Sequence, residues 1–142
     1  MSELHLYGWV CSDNNGIYAL SEEKDAYADW KKHSIVESIE SIASESGYYA
    51  ETRQGLGGRR AIIEDCNLRI YFTDEECELE EAMMAFDEVL YGGEIQTKVS
   101  KVGYSEYTIE GLNLDEFTIG GHDLKDEFGD HYGEYCHIII EY

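Results

Sequence analysis

The first third of the chain has the pattern of a hairpin followed by a helix. Apolar and aromatic side chains over Leu4–Val10 predict a strand, and the turn-forming run 12–16 followed by Ile17–Leu20 predicts its partner. Ser21 is a favourable N-cap, because glutamates follow it where the helix dipole favours negative charge. Apolar residues then recur at spacings of three to five, with a break near 33–34, and predict a helix that ends at Gly47.

The middle of the chain predicts strand and then helix. Residues 61–72 are strand-like, either as two short strands or as one strand with a bulge around 64–67. Thr73 and Glu76 have the spacing of a capping box, and an apolar stripe follows at helical spacing as far as Gly92. The stripe consists of Leu79, Ala82, Met83, Phe86, Val89 and Leu90.

The last third is rich in β-branched and aromatic residues between glycines. It predicts three strands over 94–102, 104–110 and 114–119, a short helical turn over 123–128 and a final strand over Tyr135–Glu141. The chain shows no linker, no repeat and no change of composition that would divide it into two domains. We therefore predict one α+β domain over residues 1–142, with a mainly antiparallel sheet and two longer helices packed on it.

Charge changes this picture from fold to function. The 31 Asp and Glu against 10 Lys and Arg leave a formal charge of −21. The 32 Leu, Ile, Val and Phe residues and the 13% aromatic content still indicate a folded chain with a core. Direct binding to nucleic acid or to an anionic membrane is not expected, because the carboxylates would repel phosphates. No apolar run has the length of a membrane span.

The four cysteines predict a reducing compartment. They lie far apart without a C-x-x-C pair, and no secretory segment opens the chain. We expect free thiols and a cytoplasmic protein.

No motif predicts an enzyme or a cofactor. His122, His131, Cys136 and His137 lie near one another in sequence, but neighbours on a strand point to opposite faces, so Cys136 and His137 are not expected to share a metal. The glycine-rich run 54–60 ends in two arginines but lacks the spacing of a phosphate-binding loop. A small metal-dependent hydrolase that uses these histidines remains the alternative from a different class.

The distribution of acids is more informative. Residues 64–88 hold ten acids against one base, and residues 106–142 hold ten against one, whereas residues 1–63 are nearly balanced. At about 100° per residue, Asp74, Glu81 and Glu88 lie opposite the apolar stripe of the second predicted helix, with Glu78 beside them. Because unpaired like charges destabilise a fold, we expect these carboxylates to serve a function.

In size and charge, the chain resembles the small acidic inhibitors of phages and mobile elements, namely DNA-mimic anti-restriction and anti-CRISPR proteins. The resemblance is compositional, rests on Thr73–Glu88 and Glu106–Glu141, and implies no particular fold. It implies a non-enzymatic inhibitor that occupies the basic nucleic-acid channel of a CRISPR effector or restriction enzyme, with carboxylates in place of phosphates. Immunity proteins that neutralise nuclease toxins are similar by the same measures.

The predicted partner is therefore a basic nucleic-acid-binding protein, in the host cytoplasm if a phage encodes the chain, and a homodimer is left open. The predicted partner-binding residues are acids of both segments together with one exposed tyrosine. They are Asp74, Glu75, Glu78, Glu81, Asp87, Glu88, Glu110, Asp115, Glu116, Asp123, Asp126, Glu127, Asp130, Tyr132 and Glu134.

Overall fold

The computed structural model describes residues 2–12, 17–24, 31–45, 49–51, 58–85, 89–101 and 112–142. The strands in these ranges are β1 (Glu3–Ser12), β2 (Tyr18–Ser21), β3 (Lys32–Ser34), β4 (Tyr49–Glu51), β5 (Gly58–Thr73), β6 (Val89–Lys101), β7 (Leu112–Ile119), β8 (His122–Asp123) and β9 (Tyr135–Glu141). The helices are α1 (Ile35–Glu45), α2 (Leu79–Ala85) and α3 (Leu124–Asp130).

All of these strands belong to one antiparallel sheet, and the fold is α+β as predicted. Eight strands follow the order β3-β2-β1-β9-β5-β6-β7-β8, and β4 pairs with β5 beside that path. The last strand of the chain, β9, lies between β1 and β5, and Tyr135–Ile140 is buried throughout. Burial on both faces of the sheet explains why the run 138–140 is apolar without alternation.

The two faces of the sheet carry separate apolar clusters. On one face, Cys136, Ile138 and Ile140 join the main core, which also contains the apolar side chains of α1 and α3. On the other face, Ile139 packs with Tyr71 of β5 and with Ala82 of α2 in a smaller cluster. The most acidic stretch of the chain, 74–81, leads into α2 and includes its first residues.

The first predicted helix is shorter than expected. It begins at Ile35 rather than after Ser21, because Lys32–Ser34 pairs with β2 as a strand. Ser34 Oγ accepts a hydrogen bond from the Glu37 N–H at 3.2 Å, so Ser34 takes the capping role that was assigned to Ser21. Ser21 belongs to β2 instead, where its hydroxyl donates to the Glu23 carbonyl.

The second predicted helix is mostly wrong. Only Leu79–Ala85 is helical, and Val89 and Leu90 begin β6, in which Gly92 continues the strand instead of stopping a helix. Residues 86–88 lie outside the described part of the chain. The sixteen-residue strand β5 offers a long ladder to β6, and these tertiary hydrogen bonds outweigh the helical pattern.

The predicted capping box is wrong because Thr73 belongs to a strand rather than to the start of a helix. Thr73 ends β5 and pairs with Tyr135, and its hydroxyl donates to the Glu75 carbonyl at 2.8 Å. The chain therefore makes a non-helical connection over 74–78 before α2 begins. Of the two longer helices expected, α1 has eleven residues, whereas α2 has only seven.

Other predictions are confirmed. The β1–β2 hairpin forms, and residues 61–72 lie in one strand whose register shifts between Ile63 and Cys66. The helical turn predicted over 123–128 forms as α3, which Asp123 caps, and β9 has the predicted bounds. The strand predicted over 104–110 lies outside the described residues. Within the described ranges, no helix has the length and apolar character needed to cross a membrane.

Candidate functional site

Six carboxylates crowd the connection between β5 and α2 and the first turn of α2, and all six are exposed. We call them the acidic strip. Glu76 and Glu80 were not among the predicted partner-binding residues, whereas the other four were. The strip consists of Asp74, Glu75, Glu76, Glu78, Glu80 and Glu81.

The helical geometry predicted for these acids is wrong, although their exposure is as expected. Asp74 and Glu78 precede α2, and only Glu80 and Glu81 lie on it, so no continuous stripe opposes an apolar face. Met83 was expected in the core, but it is 46% exposed. Asp87 and Glu88 lie outside the described residues.

The acidic strip is electrostatically uncompensated. In the ranges that the structure describes, none of its six carboxylates belongs to an ion pair, whereas Glu23, Glu116 and Glu141 each contact a lysine or an arginine. Like charges at such short spacing repel one another and destabilise the fold. Within the described ranges, the strip is therefore a concentrated negative field with no lysine, arginine or histidine at ion-pair distance from its carboxylates.

A cleft of about 580 Å³ adjoins the acidic strip. One wall is the strip itself, through four of its glutamates. The opposite wall comes from neighbouring strands, in which His5 and Tyr7 of β1 lie beside His137 and Tyr135 of β9. The lining residues are His5, Tyr7, Glu76, Cys77, Glu78, Leu79, Glu80, Glu81, Tyr135 and His137.

A chain of hydrogen bonds holds the two histidines in the cleft. His137 is 3% exposed, and its Nε2 lies 2.7 Å from the Cys77 carbonyl oxygen, which can only accept. Nε2 of His137 therefore carries a proton, and in the tautomer with only that proton Nδ1 accepts a hydrogen bond from His5 Nε2 at 2.9 Å. In this arrangement, Nδ1 of His5 is the one ring nitrogen of the two histidines that takes no part in these hydrogen bonds.

The strand wall of the cleft is aromatic. Ring centroids lie 5.3 Å apart for His5 and Tyr7, 5.2 Å for His5 and His137, and 5.4 Å for Tyr135 and His137. Burial, with a smaller effect of the positive charge that His137 can take up, lowers the pKa of His5. Burial, followed by the negative charge of Glu76, raises the pKa of Tyr135 to about 12. Burial therefore disfavours the charged forms of His5 and Tyr135 in this wall.

The second predicted acidic segment is different, because a histidine occupies its centre. His131 contacts Glu127 through Nε2 at 3.5 Å and contacts Glu134 through Nδ1, and its ring stacks on Phe72 with centroids 3.9 Å apart. Asp123 Oδ1 accepts from the Lys125 N–H as the cap of α3. Three of the five predicted acids over 123–134 therefore already have partners within the fold.

The remaining predicted acids are dispersed. Asp126 and Asp130 are exposed on α3, and Tyr132 is exposed next to Ser12. Glu116 Oε2 of β7 lies 4.0 Å from Arg60 Nη2 of β5, across the intervening strand β6. Glu110 lies outside the described residues, as does the side chain of Asp115.

The residues considered for a hydrolase do not converge. Cys136 is buried in the main core, where burial raises the pKa of its thiol, and His137 faces the cleft on the other side of the sheet, as strand alternation predicted. His131 stacks on Phe72, and His122 lies beside Tyr91. Among the described residues, no group of three or more His, Cys, Asp or Glu side chains is arranged to hold a metal. Most of the glycine-rich run 54–60 is outside the described ranges.

Sequence reasoning missed His5 and Tyr7. The alternation of Leu4, His5, Leu6 and Tyr7 places the two polar rings on one face of β1, and that signal was available. Their partner His137 lies 132 residues away from His5 in sequence, so only the pairing of β1 with β9 brings the rings together.

Comparison with known proteins provides no family for this chain, since no family model, no curated protein and no solved structure matches it.

Proposed function

We propose that this protein is an acidic, non-enzymatic inhibitor that binds the basic nucleic-acid channel of a partner such as a CRISPR effector or a restriction enzyme. The observation that supports this proposal is the acidic strip, in which six exposed carboxylates within eight residues have no ion-pair partner in the described part of the chain. A basic channel provides the partner that the fold does not. Carboxylates there replace phosphates against arginine and lysine.

The electrostatics favour a binding role over a purely solvating one. Repulsion within the strip costs folding free energy, and a cationic partner relieves that cost when it binds. Fields of this kind accelerate association more than they slow dissociation, and salt weakens them. The charge and size resemble those of DNA-mimic inhibitors, whose targets are cytoplasmic, and we place this protein in the cytoplasm.

The second candidate function is that of a toxin-immunity protein, which uses the acidic strip against a single nuclease toxin. The identity of the partner distinguishes this function from inhibition of a CRISPR effector or restriction enzyme. The experiment measures displacement of fluorescent DNA from purified CRISPR effectors, restriction enzymes and nuclease toxins by the full chain. Displacement that weakens from about 50 mM to about 300 mM NaCl is expected for effectors or restriction enzymes. Displacement from a toxin alone assigns the immunity function.

A matched pair of variants tests whether the strip does the binding. The strip variant carries Asp74→Asn, Glu75→Gln and Glu78→Gln, and all three residues precede α2. The control variant carries Asp65→Asn, Glu64→Gln and Glu94→Gln at exposed positions near the β5 bulge. The strip variant should bind about tenfold more slowly, and the control should resemble the parent. Equal loss in both variants, or no loss in either, contradicts a role for the strip.

A further inference from the structure

The cleft beside the acidic strip combines two kinds of wall. Glu76, Glu78, Glu80 and Glu81 provide one, and the rings of His5, Tyr7, Tyr135 and His137 provide the other. A ligand in this cleft therefore meets carboxylates and aromatic rings at the same time.

The histidine pair argues against a metal ion as the ligand. His5 Nε2, His137 Nδ1 and His137 Nε2 are all used in the chain of hydrogen bonds to the Cys77 carbonyl. Only Nδ1 of His5 remains as a nitrogen donor, which falls short of the ligand sets that zinc and related metals take. An anion is excluded by the four glutamates.

The chemistry of the two walls fits a guanidinium group. We propose that the cleft binds an arginine side chain of a basic partner, which stacks on the Tyr7 and His5 rings while glutamates of the acidic strip accept its N–H groups. Arginine suits both walls because its planar group stacks on aromatic rings and donates in a fork to carboxylates. Lysine offers a strongly hydrated point charge, which uses the carboxylates but gains less from the rings.

The exposure of Tyr7 supports this proposal. Its side chain is 61% exposed, whereas Tyr135 in the same wall is 4% exposed. A large ring left open to solvent beside four carboxylates provides a stacking surface without any conformational change. The cleft volume of about 580 Å³ lies in the range of ligand sites and accommodates a side chain together with part of its backbone.

The inference depends on the proposed function for the identity of the partner, but its test needs no partner protein. The probes are two short peptides of equal length and charge, one with two arginines between glycines and the other with two lysines. Each is titrated into the full-length protein at about 50 mM NaCl. Binding is followed by NMR of the histidine and tyrosine rings. We expect the arginine peptide to bind several-fold more tightly and to shift the ring signals of His5 and Tyr7.

Two pairs of variants locate the binding. Tyr7→Leu should weaken the arginine peptide about threefold to fivefold, the range of an exposed cation–π contact, while Tyr7→Phe should retain binding. The double change Glu78→Gln and Glu80→Gln should weaken both peptides, whereas Glu64→Gln with Glu94→Gln should weaken neither.

Equal affinity for the two peptides overturns the proposal, and so do shifts that spread along the strip without reaching His5 and Tyr7. Two outcomes separate this inference from the proposed function. If the Asp74, Glu75 and Glu78 variant loses inhibition of a partner while the peptides bind equally, the arginine site is wrong and the inhibitor function stands. If arginine is preferred in the cleft while no channel protein is inhibited, the arginine site stands and the inhibitor function is wrong.

Discussion

The two acidic segments of this protein have similar composition but opposite electrostatic environments. The acidic strip holds six exposed carboxylates without an ion pair in the described ranges, and it borders a cleft with an aromatic wall. In the segment 123–134, His131 contacts two glutamates, and a third acid caps α3. Carboxylates of the second segment stabilise local structure, whereas those of the strip are available for a partner. Charge density along a sequence therefore does not measure the charge that is available for binding.

The largest effect on stability is expected at the centre of the second segment. His131→Ala removes the contacts with Glu127 and Glu134 and exposes Phe72, and it should lower the free energy of unfolding by about 1–2 kcal/mol. His33→Ala is the control, because His33 contacts Glu22 at an exposed site and should change stability by less than about 0.5 kcal/mol. Urea unfolding measures both. Equal, small effects would show that His131 does not organise its segment.

Neutralising the acidic strip should have the opposite sign. The variant with Asp74→Asn, Glu75→Gln and Glu78→Gln relieves repulsion, and we expect its free energy of unfolding to rise by a few tenths of a kcal/mol for each relieved pair. Neutralising Glu127 and Glu134 to Gln should lower stability instead, because both contact His131. Thermal melts of the two variants provide the comparison. A loss of stability in the strip variant would show that favourable interactions offset the repulsion among the carboxylates of the acidic strip, contrary to the geometry.

The dependence of the melting temperature on salt tests the same repulsion among the carboxylates of the acidic strip. The melting temperature of the parent should rise between about 20 mM and about 500 mM NaCl, since salt screens the repulsion among its carboxylates. The rise should be smaller in the strip variant than in the parent. A flat or falling melting temperature in the parent would contradict the view that the strip is uncompensated.

The smallest expected effect is a pH dependence at the cleft. Burial lowers the pKa of His5 below its ordinary value of 6.5, so the folded state favours the neutral ring. The unfolded chain then binds more protons, and stability present above about pH 6.5 is lost as the pH falls from there toward the lowered pKa. His5→Gln keeps a donor for His137 Nδ1 and removes this titration. The parent should lose more stability than the variant between about pH 7.5 and about pH 5 in urea unfolding, and parallel curves would show that His5 does not contribute.

Local patterns predicted the elements that neighbouring residues stabilise. The β1–β2 hairpin was predicted from two short apolar runs on either side of turn-forming residues, α3 from the helical turn expected over 123–128, and β9 from a continuous apolar run. Each of these signals lies within about ten residues of the element that it predicts. The same locality made the exposure of Asp74, Glu75, Glu78 and Glu81 predictable, because such carboxylates are rarely buried without a partner.

Longer patterns failed where distant strands compete for the same residues. The apolar stripe from Leu79 to Leu90 has helical spacing, yet Val89 and Leu90 pair with β5 because a long ladder satisfies more backbone groups than a helix extension does. Residues 32–34 likewise leave the predicted helix to pair with β2. Both errors concern competition between a local preference and a pairing partner that the local pattern cannot reveal.

By itself, the sequence determined the fold class, the net charge, the last strand and the exposure of the acidic strip, because each of these follows from composition or from short-range spacing. The tertiary structure alone decided which acids are compensated and where the cleft lies. His131 contacts its glutamates because α3 ends against Phe72 of β5, and the His5–His137 pair exists because the two ends of the chain meet as neighbouring strands. Contacts between residues more than a hundred positions apart depend on the register of the whole sheet, which no local pattern encodes.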